Sequence, residues 1–191
     1  MKIGLYFGSF NPVHVGHMII ANFISTHSDL DQVWMVVSPQ NPFKNKSTLA
    51  NNYDRLHLVR LAIGENQKIK ASDIEFALPV PSYTIDTLAY LKEKYPAKEF
   101  SLIMGGDNLA SLNKWKNYEL ILDNHEIYVY SRPGYDLGDL AKHSSIRILE
   151  APLLDISASF IRKLIKEGKS IQYLVNDSVY AYLQELSLIH I

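Results

Sequence analysis

The amino-acid sequence predicts an α/β protein, built as a doubly wound parallel sheet with helices on both faces and as a single domain over residues 1–191. Three observations lead there. Short β-rich apolar runs alternate with helix-forming segments along the whole chain, the pattern of successive βαβ units. The first run, Ile3-Gly4-Leu5-Tyr6-Phe7, passes through a glycine-bearing turn, Gly8-Ser9-Phe10-Asn11-Pro12, directly into a helix that includes Met18 to Ile24. A length of 191 residues with 47% apolar and 20% charged residues is enough for one hydrophobic core and lies far from the composition of disordered chains.

The remaining elements follow in order. Val33 to Val37 reads as a buried strand ending at Ser38-Pro39, and residues 40–47 have the Asn, Pro and Ser of a loop beyond its carboxyl end. Asn51 to Ile63 predicts a helix closed by Gly64. Ile69 and Ala71 suggest a short strand, and residues 73–82 an irregular segment. A helix opens at Thr84 to Leu91, capped by Ser82 or a neighbour, and ends near Tyr95-Pro96. Phe100 to Met104 is a fourth strand running into Gly105-Gly106-Asp107-Asn108. Where a doubly wound sheet reverses direction, the first and fourth strands are neighbours, so the two glycine-bearing turns are expected to flank one crevice. Leu109 to Leu122 reads as continuing helix, Glu126 to Tyr130 as a fifth strand ending at Ser131-Arg132-Pro133-Gly134, and Arg147 to Leu149 as a weak last strand. A helix from Ser157 to Gly168 has a serine start and a glycine stop, and Asn176 to Leu186 closes the chain.

Composition narrows the function. Nineteen basic residues against twenty acidic ones give a formal charge of −1, so neither nucleic acid nor a membrane surface is an expected partner, and any anion must be held locally. There are no cysteines for disulfides, thiolate metal sites or thiol nucleophiles. Without signal-peptide features or a run of membrane-spanning length, the expected location is cytoplasmic. No G-x-x-x-x-G-K-[ST] occurs, no G-x-G-x-x-G follows the first strand, and Ser9 lacks a G-x-S-x-G setting.

What the first turn does offer is an anion site. Backbone N–H groups and a helix N-terminus point at the ligand, and glycine lets phosphate approach the main chain. His14 and His17 are three residues apart, on one side of the first helical turn if the helix begins near Val13. Neither H-E-x-x-H nor a finger pattern is present, so dedicated metal ligation is not expected.

These residues carry a resemblance. GSFNPVHVGH resembles the H-x-G-H signature of nucleotidyltransferases, and ISASFIR at 156–162 resembles their I-S-S-[ST]-x-[IL]-R signature. Within that superfamily the chain resembles the bacterial nicotinate mononucleotide adenylyltransferases. Supporting segments are Ser82 to Leu88, Gly105-Gly106-Asp107, Lys114-Trp115 before Glu119-Leu120, Ser131 to Tyr135, and Tyr173-Leu174-Val175. The resemblance implies a Rossmann-like fold and attack by a mononucleotide 5′-phosphate on the α-phosphorus of ATP. It implies catalytic roles for His14, His17 and Arg162. Gly8, Ser9, Phe10, Lys44, Gly105, Asp107, Arg132, Ile156 and Ser157 would contact ATP, with Asp107 on the ribose and Lys44 and Ser157 on the departing pyrophosphate. Thr84 and Trp115 would hold the pyridine nucleotide. Mg²⁺ would arrive with ATP without dedicated protein ligands.

The plainer readings are that Lys44 is a solvated loop lysine, Trp115 a core residue and Thr84 a helix cap. Two departures from the family pattern are Asn11, where Asp is more frequent, and Lys116, where aromatic residues are frequent. Phosphopantetheine adenylyltransferases share both signatures and form the rival enzyme class; a nucleotide-binding regulatory module is the non-enzymatic one. Self-association is left open.

Overall fold

A computed structural model describes residues 1–39, 49–131, 136–152 and 154–185. Among these, β1 (Lys2–Gly8), β2 (Gln32–Val37), β3 (Ile69–Ser72), β4 (Glu99–Gly105), β5 (Ile127–Tyr130) and β6 (Ile146–Leu149) form one sheet of order β3-β2-β1-β4-β5-β6. Every neighbouring pair is parallel. The direction of winding reverses between β1 and β4, where Leu5 is paired with Leu102 and Tyr6 with Ile103.

Strand alternation sends side chains to two separate apolar layers. Tyr6, Met35 and Ile103 share one layer with α1 (Val15–His27), α2 (Asn52–Ile63), α6 (Ala158–Lys166) and α7 (Asp177–Glu185), through residues such as Ile24, Val59, Ile161 and Val179. Ile3, Leu5 and Leu102 share the other with α3 (Thr84–Lys94), α4 (Gly106–Ala110) and α5 (Tyr118–Asn124), through Leu88, Leu109 and Ile121. This is the predicted doubly wound α/β architecture.

Several boundaries differ from expectation. The first helix starts at Val15 rather than near Val13, which makes His14 its N-cap. The N-cap of α3 is Tyr83, within the expected range of Ser82 or a neighbour, but it makes no side-chain cap hydrogen bond. The segment 109–122 is not one helix: α4 ends at Ala110, a 3₁₀ turn covers Leu112–Lys114, and α5 begins only at Tyr118. Asn117 sits at φ 53°, in the left-handed region, and a helix cannot run through such a residue. A 3₁₀ turn, Ile74–Ala77, lies within the segment expected to be irregular.

The carboxyl edge beside β1 is organised by Arg55, which is 0% exposed. Its Nη1 donates to the carbonyls of Ser9 and, at 2.9 Å, Ser38; Nε donates to the Ala50 carbonyl at 3.1 Å, and Nη2 to Asn52 Oδ1 at 2.7 Å. One guanidinium thus ties the turn after β1, the end of β2 and the entry to α2. Burial lowers its pKa to about 10, which leaves it charged at neutral pH. Arg55→Ala is expected to cost about 3 kcal/mol or more of unfolding free energy, because the buried carbonyls lose their donors. Arg55→Lys should recover only part of this, since an ammonium cannot reproduce the fork. Denaturant unfolding measures both; an unchanged midpoint for Arg55→Ala would refute the assignment.

Candidate active site

The turn leaving β1 carries its own strain. Phe10 has φ 42° and is 1% exposed, so its ring folds back beneath the loop. A Cβ on Gly8 would lie 2.7 Å from that ring, and only glycine fits there. The Asn11-Pro12 peptide bond is cis. Asn11 is buried, and its Oδ1 accepts from the Ala50 N–H at 3.2 Å. A neutral amide therefore tethers the loop to the entry of α2 at the position where the family more often has a carboxylate.

His14 and His17 meet across the first turn of α1, their rings stacked with centroids 3.6 Å apart. The His14 backbone N–H donates to His17 Nδ1 at 3.2 Å. A neutral His17 ring that accepts at Nδ1 must carry its proton on Nε2, so the hydrogen bond sets the tautomer and presents a donor at the other nitrogen. His14 is 5% exposed, and its Nδ1 has no hydrogen-bond partner among the described residues. Burial lowers the His14 pKa from 6.5 to about 4, so this imidazole is neutral at physiological pH. Gly16 is needed beside it, as a Cβ there would come 3.1 Å from His14 Nδ1. The helix entry is pinned from the far end of the chain, because the Val15 N–H donates to the Leu174 carbonyl at 3.0 Å.

The second signature reaches the first through Arg162. Its Nη1 donates to the Asn11 carbonyl at 2.8 Å and its Nη2 to Ser159 Oγ at 3.2 Å, which holds a half-buried guanidinium at the edge of the loop. Ser157 is the N-cap of α6 and accepts from the Phe160 N–H at 3.1 Å; Ile156 packs against the apolar layer.

Across the crevice, Gly105 ends β4 and Asp107 lies in the first turn of α4. A Cβ on Gly105 would lie 2.5 Å from Asp107 Oδ1 and 3.3 Å from the Tyr130 ring, so a side chain there would displace the Asp107 carboxylate. Tyr6 contacts Phe10, His17 and Tyr130 edge-on, and the Tyr6 and Tyr130 hydroxyls are 3.4 Å apart. Burial raises both phenol pKa values; Asp107 adds to the rise in each, Tyr130 raises Tyr6 further, and the Tyr6 hydroxyl opposes the rise in Tyr130. These two tyrosines form an aromatic floor that sequence reasoning missed; their positions at the carboxyl ends of β1 and β5 were the available signal.

Trp115 is half-buried and packs on the second apolar layer. Thr84 is the first residue of α3, not its cap. The two segments are joined by Lys116, whose Nζ is 3.0 Å from Asp86 Oδ2 and 4.9 Å from the Tyr83 ring centroid. Lys44 and Arg132 lie outside the described residues. Among the described residues no group of three or more His, Asp or Glu side chains could hold a metal ion, and no helix is long and apolar enough to cross a membrane.

The family model for cytidylyltransferase-like proteins matches residues 5–164. A Flavobacterium psychrophilum protein named probable nicotinate-nucleotide adenylyltransferase is 58% identical over 185 residues, covering 96% of each chain. A Bacteroides thetaiotaomicron protein of the same name is 40% identical over 185 residues, covering 97% of this chain and 92% of its own. A Plasmodium falciparum structure, described as nicotinic acid mononucleotide adenylyltransferase complexed with NaAD, superposes with a TM-score of 0.83 at 22% identity, covering 98% of this chain and 97% of that one; it shares the fold. With both signatures meeting at one loop and relatives matched over nearly their full length, the chain belongs to the cytidylyltransferase-like family, among the nicotinate-nucleotide adenylyltransferases.

Proposed function

We propose that the protein joins ATP and nicotinate mononucleotide, giving nicotinate adenine dinucleotide and pyrophosphate. The observation that carries nucleotidyl transfer is the contact of Arg162 with the carbonyl of Asn11, 151 positions away, which brings the two signatures to one loop; the choice of acceptor is supported by the full-length relatives named for nicotinate nucleotide. The acceptor's 5′-phosphate oxygen forms a bond to the α-phosphorus of ATP, and the bond from that phosphorus to the bridging oxygen of the pyrophosphate breaks. No enzyme nucleophile is required. The protein's work is alignment and stabilisation of charge on phosphate oxygens.

In this reading His17 donates from Nε2 to an α-phosphate oxygen, His14 supplies a neutral imidazole beside the triphosphate, and Arg162 holds the leaving pyrophosphate with Ser157, Lys44 and Arg132. The amides of Gly8 and Ser9 face the phosphates above the Phe10 ring, and Gly105 and Ile156 line the nucleotide. Asp107 accepts from ribose hydroxyls. Thr84 and Trp115 take the pyridine nucleotide, Thr84 from the N-terminus of α3 and Trp115 by stacking. Mg²⁺ arriving with ATP would supply neutralisation of phosphate charge, with phosphate and water oxygens as its ligands rather than a dedicated set of side chains.

Incubation with ATP, Mg²⁺ and one acceptor at a time tests the reading. Pyrophosphate release is expected with nicotinate mononucleotide, and release with phosphopantetheine alone would sink it. For His17→Ala, kcat should fall about 10²- to 10³-fold, as for loss of one donor to a developing charge, while the Kd for ATP changes far less. Parallel losses in kcat and ATP binding would show a ground-state role.

His14 gives a pH dependence with a definite sign. Its folded pKa of about 4 lies below the ordinary 6.5, so the unfolded chain takes up the proton first. Stability at neutral pH is therefore lost progressively as pH falls from 6.5 towards 4. Chemical unfolding across that range should show the slope, and His14→Gln should flatten it; equal slopes would contradict the assignment.

A further inference from the structure

One buried carboxylate has no part in the chemistry above. Glu75, on the 3₁₀ turn between β3 and α3, is 3% exposed. Its Oε1 accepts a 2.8 Å hydrogen bond from the hydroxyl of Thr87, itself 0% exposed, and its Oε2 has no partner among the described residues. Burial raises the Glu75 pKa, opposed by the hydroxyls of Ser38, Thr87 and Ser82 around the carboxyl group. Burying a carboxyl group here costs stability that an apolar residue of similar volume would not. Its geometry supplies something an apolar residue could not.

Glu75 bridges the two halves of the crevice. On one side the turn that carries Glu75 packs against β2, beyond which the Ser38 N–H donates to the Gly8 carbonyl at 3.0 Å and the Ser38 carbonyl accepts from Arg55 at 2.9 Å. On the other is the first turn of α3: the Thr87 hydroxyl also reaches the Tyr83 carbonyl at 3.3 Å, and the Thr87 N–H donates to that carbonyl at 3.1 Å. Packing of the turn on β2 and the hydrogen bonds of Glu75 and Thr87 therefore connect the turn after β1 to the residue preceding Thr84.

We propose that Glu75 is a positioning residue that fixes the first turn of α3, and with it Thr84, relative to Gly8 and Ser9, so that the acceptor phosphate meets the α-phosphorus of ATP in line. This rests on the assignment of the pyridine nucleotide to Thr84 and Trp115. Glu75 touches neither substrate; it acts through Thr87 and through the packing of its own turn on β2. Displacing a reacting group by about 1 Å costs on the order of 100-fold in rate, so a small shift of α3 is enough to register in turnover.

Steady-state kinetics of Glu75→Ala, Glu75→Gln and Thr87→Val, with ATP and the acceptor varied separately, test it, together with hydrogen exchange of the substrate-free proteins. Glu75→Ala and Thr87→Val should each raise KM for nicotinate mononucleotide and lower kcat by about tenfold, with KM for ATP within about twofold. Glu75→Gln, which keeps an acceptor oxygen for Thr87, should recover most of the loss. Amides of residues 83–88 should exchange faster in Glu75→Ala while the rest of the sheet is unchanged. Wild-type kinetics in Glu75→Ala, or equal rises in both KM values without recovery by Gln, would overturn the proposal. If the wild-type protein does not turn over nicotinate mononucleotide, the function fails separately. The exchange of residues 83–88 then decides this proposal, with unchanged rates refuting it.

Discussion

Everything at the carboxyl edge beside β1 depends on a guanidinium that never meets solvent. Parallel strands end in carbonyls and turns whose polar groups need partners, and here three such segments converge beneath the loop that carries the histidines. Arg55 answers the Ser9, Ser38 and Ala50 carbonyls at once because its donors are fixed in a plane and point in different directions. An unpaired buried cation is costly, and its lowered pKa records that cost. The carbonyl dipoles offset enough of it for the charge to persist, placing a permanent positive group under a loop suited to phosphates.

That anchor lets the loop hold an otherwise unfavourable shape. Phe10 sits at positive φ with its ring against Gly8, Tyr6 and His17, and the chain around it is over-determined by Asn11 on Ala50, Arg162 on Asn11, and Leu174 on Val15. The same packing dries His14 and sets the tautomer of His17. Donors are consequently fixed before any ligand arrives, which is what electrostatic stabilisation of a phosphoryl transition state requires. The opposite edge of the sheet is held by different means: Lys2 pairs with Asp29 and Glu126, and Arg147 also reaches Glu126 at 2.8 Å. Both carboxylates are held below their usual range, first of all by Lys2.

Features with a local cause were legible from the residues alone. Asn51 caps α2 by accepting from the Tyr53 N–H, Gly64 closes it at φ 55°, and Ser157 caps α6, each through a contact within a few positions. The break at Asn117 was missed because a left-handed residue between two helical runs leaves the apolar spacing of both nearly intact. Arg55 and Glu75 were missed for another reason. An arginine in a helix and a glutamate in an irregular segment are ordinarily solvated, and nothing nearby in sequence says that Ser9 and Ser38 will close around the one or Thr87 around the other.

Sequence by itself determined the alternation of strands and helices, the adjacency of β1 and β4, the two histidines at a helix start and the arginine of the second signature, since periodicity, glycine placement and motif spacing act over short stretches. Tertiary structure decided which polar groups lost water. It made Asn11 a tether, drove His14 to neutrality, closed Arg55 over three carbonyls and left Glu75 between the two halves of the crevice. Desolvation is set by whatever packs above a residue, and those neighbours come from 5 to 151 positions away.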